Sequence, residues 1–241
     1  MKRIILTLTA LVISVQADWK QWRGPTGQGH ANANLPIEWN EKKNIKWRTT
    51  IPGKGWSSPV IEGNHVWMTT AFETVASEEE RHERLKKNTG GVPVHVLSSV
   101  RLNAVCVDKQ NGKLLHNIEV ITKKQPQWVH KLNSYASPSP IIEDGRVYCH
   151  FGAYGTVCVD AKTGKELWTV RGLSRAVCNT PVVGGDGKLY VAGWARGGDI
   201  DERISVEPFA KLVAARDKNK NGTLEREELE KGHAIERRYP Q

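Results

Sequence analysis

The chain has 241 residues, a formal net charge of +9 and 39% apolar residues, which is enough for one or two globular domains with a core. This composition excludes a disordered tail, and 22 glycines with 11 prolines are typical of a fold with many turns. Basic residues are scattered among acidic ones, with no arginine-rich stripe and interleaved aromatic residues, which argues against a nucleic-acid partner. The first expectation is therefore an all-β fold.

The N-terminal sequence "MKRIILTLTALVISVQAD" has the pattern of a secretory signal peptide. Two cations, Lys2 and Arg3, precede an apolar run from 4 to 15, and small residues follow at Val15 and Ala17. We predict that residues 1–17 are a signal peptide and that the protein is exported to the periplasm or secreted. The apolar run is shorter than the roughly 20 residues of a membrane-spanning helix, so we expect no membrane span after cleavage. An uncleaved anchor is the alternative.

An internal repeat organises residues 18–198. The segments 57–71, 138–152 and 179–193 each contain a small polar residue, a proline, an apolar strand, a turn and a second, alternating strand. The segments 103–118 and 155–170 continue this plan with a strand, an Asp, a turn ending in Gly-Lys, and another strand. Because Pro140 and Pro181 are 41 residues apart, the spacing predicts four-stranded blades of a β-propeller.

A charged stretch interrupts the first full blade between its second and third strands, at residues 72–100. Within "ASEEERHERLKKN", Glu80 and Arg84, like Glu83 and Lys87, are four residues apart, which favours a short helix. We interpret the stretch as a solvated helix in a loop, with a lid or a partner site as the alternative.

Four cysteines, Cys106, Cys149, Cys158 and Cys178, each lie in an apolar, strand-like run. They are interpreted as small buried residues, and their disulfide state stays open. Cys149 and Cys158 flank one turn symmetrically and are the favoured pair if a disulfide forms.

No catalytic or cofactor-binding residue can be assigned from the sequence. His65, His130 and His150 are single histidines in or beside strands, without the paired spacing of a metal site. Structural or surface roles are expected for them.

A calcium-loop pattern, "DKNKNGTLEREE", occupies residues 217–228 of a helical segment at 199–241. Calcium needs six to eight oxygens around one centre, and the EF-hand spacing supplies them from fixed positions, with a glycine at the sixth. The predicted ligands are Asp217, Asn219, Asn221, Thr223, Glu225 and Glu228. Because Lys218 and Lys220 place two cations inside the loop, we expect weak binding of Ca2+, about 0.1 to 1 mM. A solvated loop with chance acidic spacing is the alternative.

The segment "VDAKTGKELW" (159–168) resembles the tryptophan-docking repeat of the quinoprotein-type, PQQ-like β-propellers, and "DWKQWRGPTGQG" resembles the start of secreted bacterial members. The resemblance implies an all-β fold, a partial propeller of four-stranded antiparallel blades with a helical EF-hand insert. It also implies that Trp168 and Trp47 pack against neighbouring blades. His116 stands where a third Trp is expected, so that blade should dock less tightly.

The family includes dehydrogenases and assembly scaffolds, so two functions stay open. One is a binding or scaffold module of the cell envelope, with an unidentified partner. The other is a quinone (PQQ)-dependent dehydrogenase, for which the resemblance implies an adjacent cysteine pair that this sequence lacks. About two complete blades are present where closed propellers need four to eight, so we expect further blades in the same longer chain or in another chain.

Overall fold

The computed structural model describes residues 18–86, 95–129, 132–171, 179–192, 209–222 and 224–228. The strands are β1 Val60–Glu62, β2 His65–Val75, β3 Leu97–Asp108, β4 Leu114–Lys124, β5 Ile141–Glu143, β6 Arg146–His150, β7 Thr156–Asp160, β8 Glu166–Val170, β9 Val182–Val183 and β10 Leu189–Tyr190. The helices are α1 Glu78–Leu85 and α2 Phe209–Arg216, and single 3-10 turns lie at Gly152–Tyr154 and Arg226–Glu228. The predicted signal peptide, 1–17, lies outside the described residues.

Two four-stranded antiparallel sheets confirm the all-β, blade-type fold. Blade 1 has the order β1-β2-β3-β4 and blade 2 the order β5-β6-β7-β8. Their central strands are mostly buried, and one face of each blade contributes apolar side chains to a single shared core. Leu102, Ala104 and Cys106 of blade 1 belong to it, with Cys149, Val157 and Val159 of blade 2. Blade 2 spans Ile141–Val170, and its β6–β7 connection contains the 3-10 turn Gly152–Tyr154 rather than an α-helix. The predicted four-stranded antiparallel blade, from the segments 138–152 and 155–170, is therefore confirmed.

The charged insertion in blade 1 is shorter than the sequence predicts. The ladder between β2 and β3 continues to the pair Val75 and Leu97. The insertion between the two strands therefore covers only residues 76–96, whereas the sequence predicted 72–100. The predicted helix is present as α1, capped at its N-terminus by Ser77, and no residue of it is buried. Its Arg84 donates hydrogen bonds to the carbonyls of Leu97 (2.7 Å) and Pro126 (3.0 Å), which fastens the helix to blade 1.

A half-blade follows blade 2. β9 and β10 form a two-stranded antiparallel sheet, and β9 lies beside β5 as β5 lies beside β1. The innermost strands of the three units are therefore neighbours around one axis. A proline directly precedes each of these strands, at Pro59, Pro140 and Pro181. Proline has no amide hydrogen to donate to a strand ladder, so the position before the first residue of a strand suits it.

The N-terminal residues tie the two blades together at this axis. The main chain of Trp19 forms two hydrogen bonds of 2.8 Å with Ile61 in β1, and the Lys20 carbonyl accepts one of 2.8 Å from Ile142 in β5. The Lys20 ammonium also pairs with Glu62 at 2.6 Å, and this contact raises the pKa of Lys20 despite some desolvation.

Aromatic rings dock on the turn glycines of the following blade. At Gly112 an added Cβ would lie 2.5 Å from the Trp47 ring, and Trp47 Nε1 donates to the Lys109 carbonyl at 2.8 Å. At Gly164 an added Cβ would lie 3.1 Å from the His116 ring, whose Nε2 lies 3.1 Å from the Lys162 carbonyl. The predicted docking of Trp47 is confirmed, and His116 occupies the equivalent place one blade later.

Trp67 in β2 supports His116 at the joint where blade 1 packs on the Gly164 turn of blade 2. Its ring stacks on His116 with a centroid distance of 5.6 Å, and its Nε1 donates to the Ala161 carbonyl at 3.3 Å. Ala161 holds the same position in the repeat as Lys109, whose carbonyl accepts the hydrogen bond from Trp47 Nε1 at the turn of blade 1. Two side chains therefore share the contacts that one tryptophan makes elsewhere.

The Trp168 ring contacts its own sheet. It lies 5.8 Å from the Tyr148 ring in β6 and remains 38% exposed. Its expected contact with a neighbouring blade is not formed among the described residues.

Candidate functional site

The calcium-loop sequence begins where α2 ends. The Asp217 amide donates to the Val213 carbonyl at 2.9 Å, so this residue closes the last helical turn. The Asp217 carboxylate then accepts from the amides of Asn221 (3.2 Å) and Gly222 (2.7 Å), which folds the first half of the loop around it. Gly222 has φ +80°, a conformation that suits glycine and makes the bend.

The Glu228 carboxylate closes the loop from the other end. One oxygen accepts from the amides of Lys218 (2.8 Å) and Asn219 (3.3 Å), and the other accepts from Glu225 (3.1 Å). These amides, with that of Glu225 first, hold the pKa of Glu228 below its usual value, although the charge of Asp217 opposes them. The carboxylate is therefore ionised at neutral pH, as a calcium ligand must be.

The side-chain amides of Asn219 and Asn221 connect the two halves of the loop. Asn219 Nδ2 and Asn221 Nδ2 donate to the two Glu225 oxygens at 3.1 and 3.0 Å. Five of the six predicted ligands are thus linked in one network, and the sixth, Thr223, lies outside the described residues. Among the described residues, no three His, Cys, Asp or Glu side chains are gathered closely enough to hold a metal. The donor chemistry fits calcium only if the asparagine oxygens and a backbone carbonyl complete the set.

A groove of about 500 Å3 opens at the inner ends of the blades. Its wall includes Ser58, Ser139 and Thr180, the small polar residues that precede the proline in each repeat unit. The Ser58 amide donates to the Ser139 hydroxyl at 2.9 Å, which holds two units in register.

Two exposed tryptophans stand at this groove. Trp22 is 51% exposed, with the Arg23 guanidinium 4.7 Å from its ring centroid, and Trp56 is 57% exposed. The backbone fixes Trp56 because the preceding Gly55 passes so close to β2 that an added Cβ would lie 2.4 Å from the Thr69 carbonyl oxygen. Sequence reasoning missed both rings as site residues. The available signal for Trp56 was its place just before the inner strand of the first repeat unit, whereas Trp22 lies outside the repeat units and carries no such signal.

The described cysteines are free and buried, which answers the open disulfide question for three of the four; Cys178 lies outside the described residues. Cys149 faces Val157 across the β6–β7 ladder, while Cys158 faces Tyr148. The two sulfurs therefore lie on opposite faces of the sheet and cannot pair. Burial raises the pKa of Cys149 to about 12, so its thiol is not a nucleophile.

His150 is fully buried, with its Nδ1 2.9 Å from the Thr156 hydroxyl. Desolvation lowers its pKa to about 4. Its Nε2 has no hydrogen-bond partner within the described ranges. This is a neutral core histidine, as expected; His130 falls outside the described residues.

Both described helices have eight residues, and neither is long or apolar enough to cross a membrane.

The comparison with protein-family models agrees with the blade assignment. Residues 91–192 match a family described as outer membrane protein assembly factor BamB. No curated protein has significant sequence similarity to the chain. A europium-containing methanol dehydrogenase is similar in structure, with 20% identity, a TM-score of 0.27 and coverage of 56% of this chain. The chain spans only 21% of that protein. Between residues 91 and 192 the chain thus carries repeats of the PQQ-like type.

Proposed function

We propose that this protein is an exported, calcium-binding β-propeller that acts as a binding or scaffold module of the cell envelope. Further blades, in the same longer chain or in another chain, complete the propeller. The signal-peptide pattern at 1–17 supports export, and the loop at 217–228 supports calcium binding.

The groove at the inner strands carries the binding role. Trp22 and Trp56 present large, half-exposed rings beside the hydroxyls of Ser58 and Ser139, which is the mixture of apolar area and hydrogen-bonding groups that protein interfaces use. Repetition supports this role, because equivalent residues of successive units line one surface.

The dehydrogenase alternative requires a quinone cofactor, and the described residues do not fit one. The described cysteines are single, buried and held on separate strands, and the pKa of each is raised to about 11 or 12. They cannot provide the adjacent cysteine pair that the resemblance implies for a quinone site. We therefore derive no catalytic step from this alternative.

Calcium binding is tested by limited proteolysis of the full chain. At 5 mM calcium, about ten times a constant in the weak range, we expect protection of the stretch 209–229 with little change in the blades. Glu228→Gln removes a charge and a bidentate ligand and should abolish the protection. Glu227→Gln removes the same charge one residue earlier, outside the predicted ligand set, and should preserve most of it. Equal loss in both variants, or no protection in the parent chain, contradicts a calcium loop.

The binding groove is tested by site-specific photocross-linking in cells. A photoreactive residue in place of Trp56 should give one defined adduct with an envelope protein, identified by mass spectrometry. The same residue in place of Val75, which is exposed at the end of β2, is the control and should not give that adduct. Cross-links of equal pattern at both positions, or none at Trp56, contradict a binding role for the groove.

A further inference from the structure

The wall of the groove that contains Trp22 and Trp56 is uncharged. The ten described residues that line it are all neutral at pH 7, although 25% of the chain is charged. A phosphate, carboxylate or ammonium group that entered the groove would lose its hydration without meeting an opposite charge among these residues. The groove therefore suits a neutral ligand.

Most of this wall consists of side chains that both donate and accept hydrogen bonds. Six of the ten lining residues carry a hydroxyl or a carboxamide: Gln21, Ser58, Ser137, Ser139, Asn179 and Thr180. Within the described part of the chain, the hydroxyls of Ser58 and Thr180 bond to no other residue, so they are available to a ligand. Such groups complement the hydroxyls of a sugar, each of which also donates and accepts.

The repeat-equivalent members of this set lie on an arc. Ser58, Ser139 and Thr180 directly precede the prolines of the three inner strands, and those strands are neighbours around one axis. An extended peptide presents its hydrogen-bonding groups along a line, whereas a sugar ring carries hydroxyls around its rim. The arc therefore matches a sugar ring better than it matches an extended strand.

The two tryptophan rings supply the apolar surface that the flat, C–H-rich face of a sugar needs. Arg23 covers one face of the Trp22 ring and is not part of the wall, which leaves the opposite face to a ligand. The Trp56 main chain is fixed by its amide, which donates to the Ala136 carbonyl at 3.0 Å, and by the close passage of Gly55 along β2. A ring on a fixed main chain loses little conformational freedom when a ligand binds.

We propose that this groove binds a neutral saccharide, with the sugar face on the two indole rings and the sugar hydroxyls on the arc. The inference rests on the proposed binding role of the groove and names the part of the envelope partner that enters it, a sugar carried by a glycosylated protein. The volume of about 500 Å3 is in the range of small-ligand sites. Further blades would extend the ring beyond β9 or before blade 1 and would leave these three units as neighbours.

The test titrates the full chain, without calcium, with cellopentaose, maltopentaose, chitopentaose and mannopentaose, which are neutral, and with the acidic pentagalacturonic acid. Calorimetry should show that at least one neutral oligosaccharide binds with a dissociation constant below about 1 mM, and that the acidic one binds at least about tenfold more weakly. No binding of the neutral oligosaccharides, or equal binding of the acidic one, overturns the inference.

Variants locate the sugar in the groove. Trp22→Ala and Trp56→Ala should each weaken its binding by about tenfold or more, with unchanged circular dichroism. Thr180→Val keeps the side-chain shape, removes the hydroxyl and should weaken binding about threefold to tenfold. Trp39→Ala removes a ring that is 67% exposed outside the groove and should bind as the parent chain does. Unchanged affinity in the three groove variants, or an equal loss in Trp39→Ala, overturns the assignment.

The cross-linked adduct at Trp56 separates this inference from the binding role of the groove. We expect the adduct to stain for carbohydrate after periodate oxidation. An adduct with a protein that carries no sugar keeps the binding role and overturns the saccharide. Binding of an oligosaccharide without any protein adduct supports the saccharide and overturns a glycosylated protein as its source.

Discussion

At the scale of the residue, the proposed calcium loop depends on a few charges that lie close together. Lys220 lies inside the loop with φ +59°, a conformation that Asp and Asn adopt more readily than Lys. A cation there would repel a bound Ca2+ and is also in a less favourable backbone region.

Lys220→Asp should therefore tighten calcium binding by roughly tenfold, on the order of 1.4 kcal/mol, since it exchanges a repelled cation for a nearby anion. Calorimetric titration of the full chain measures this change. Lys211→Asp in α2 makes the same change of charge outside the loop and should have a much smaller effect. Affinity that rises equally in both variants would indicate a general charge effect and no site.

A second residue-scale prediction concerns the turn glycine of blade 2. Gly164→Ala should destabilise the fold by about 1 to 3 kcal/mol more than Gly145→Ala. Both glycines have nearly the same φ, +71° and +68°, so their backbone strain is matched. Only at Gly164 would the added Cβ meet other groups: the Ile118 Cδ1 at 2.6 Å, which can move aside, and the packed His116 ring at 3.1 Å, which cannot move as easily. At Gly145 the space is open. Chemical denaturation compares the two variants, and equal losses would contradict a close docking of His116 on this turn.

Buried His150 predicts the pH dependence of stability. Its pKa is lowered to about 4 in the folded state, against about 6.5 in the unfolded chain, so falling pH protonates the unfolded chain first. Its contribution is complete above about pH 6.5 and is lost as the pH falls towards 4, to a limit of roughly 3 kcal/mol. Denaturation of the parent chain and of His150→Gln at pH 7 and pH 4.5 tests this. The variant should lose less stability between the two pH values, and an equal slope would exclude His150 as the cause.

At the scale of the element, each joint between blades consists of a ring and a turn. The expectation that His116 weakens its joint considered that position alone. In the structure Trp67 lies on the neighbouring strand, stacks on His116 and reaches the Ala161 carbonyl. The joint is therefore built by two elements, β2 and β4.

Trp67→Phe keeps an aromatic ring but removes the donor to Ala161. We expect a loss of about 1 to 3 kcal/mol in stability, because a buried carbonyl loses its partner and the smaller ring leaves space. Trp22→Phe, at a half-exposed position, should cost less than about 0.5 kcal/mol. Thermal or urea unfolding measures both, and similar small losses would show that the Trp67 hydrogen bond contributes little.

The sequence predicted the elements well where the repeat controls them. Pro59, Pro140 and Pro181 mark the inner strands, and the Asp and Gly of each turn specify hairpins by local hydrogen bonds and left-handed φ. The ends of the insertion were less predictable. Long β2 and β3 continue by pairing with each other, and such pairing depends on a partner more than 20 residues away rather than on local preference.

The candidate site was predicted only in part for a similar reason. The proposed ligands of the loop follow one another in sequence, so their spacing is visible. The groove gathers Trp22, Trp56 and residues of three repeat units that approach only when the blades are arranged around an axis. Neither ring belongs to a motif of its own, and only the close passage of Gly55 along β2 places Trp56 there.

At the scale of the whole molecule, the described residues form two complete blades followed by the two-stranded sheet of β9 and β10. Open sheet edges favour association, and the further blades proposed above would cover the edge of β10 by pairing with it.

The tie made by residues 18–20 also determines how the molecule responds to mechanical force. Three main-chain hydrogen bonds join Trp19 and Lys20 to the inner edges of both blades, while each blade is held by long ladders of its own. A load applied to the N-terminal end would act on those few bonds one after another before it reached any ladder. The segment would detach at low force and leave two intact sheets, held by their apolar faces and by the few hydrogen bonds at the joint of Trp67 and His116. Residues 18–20 are therefore the part of the described structure that yields first under load.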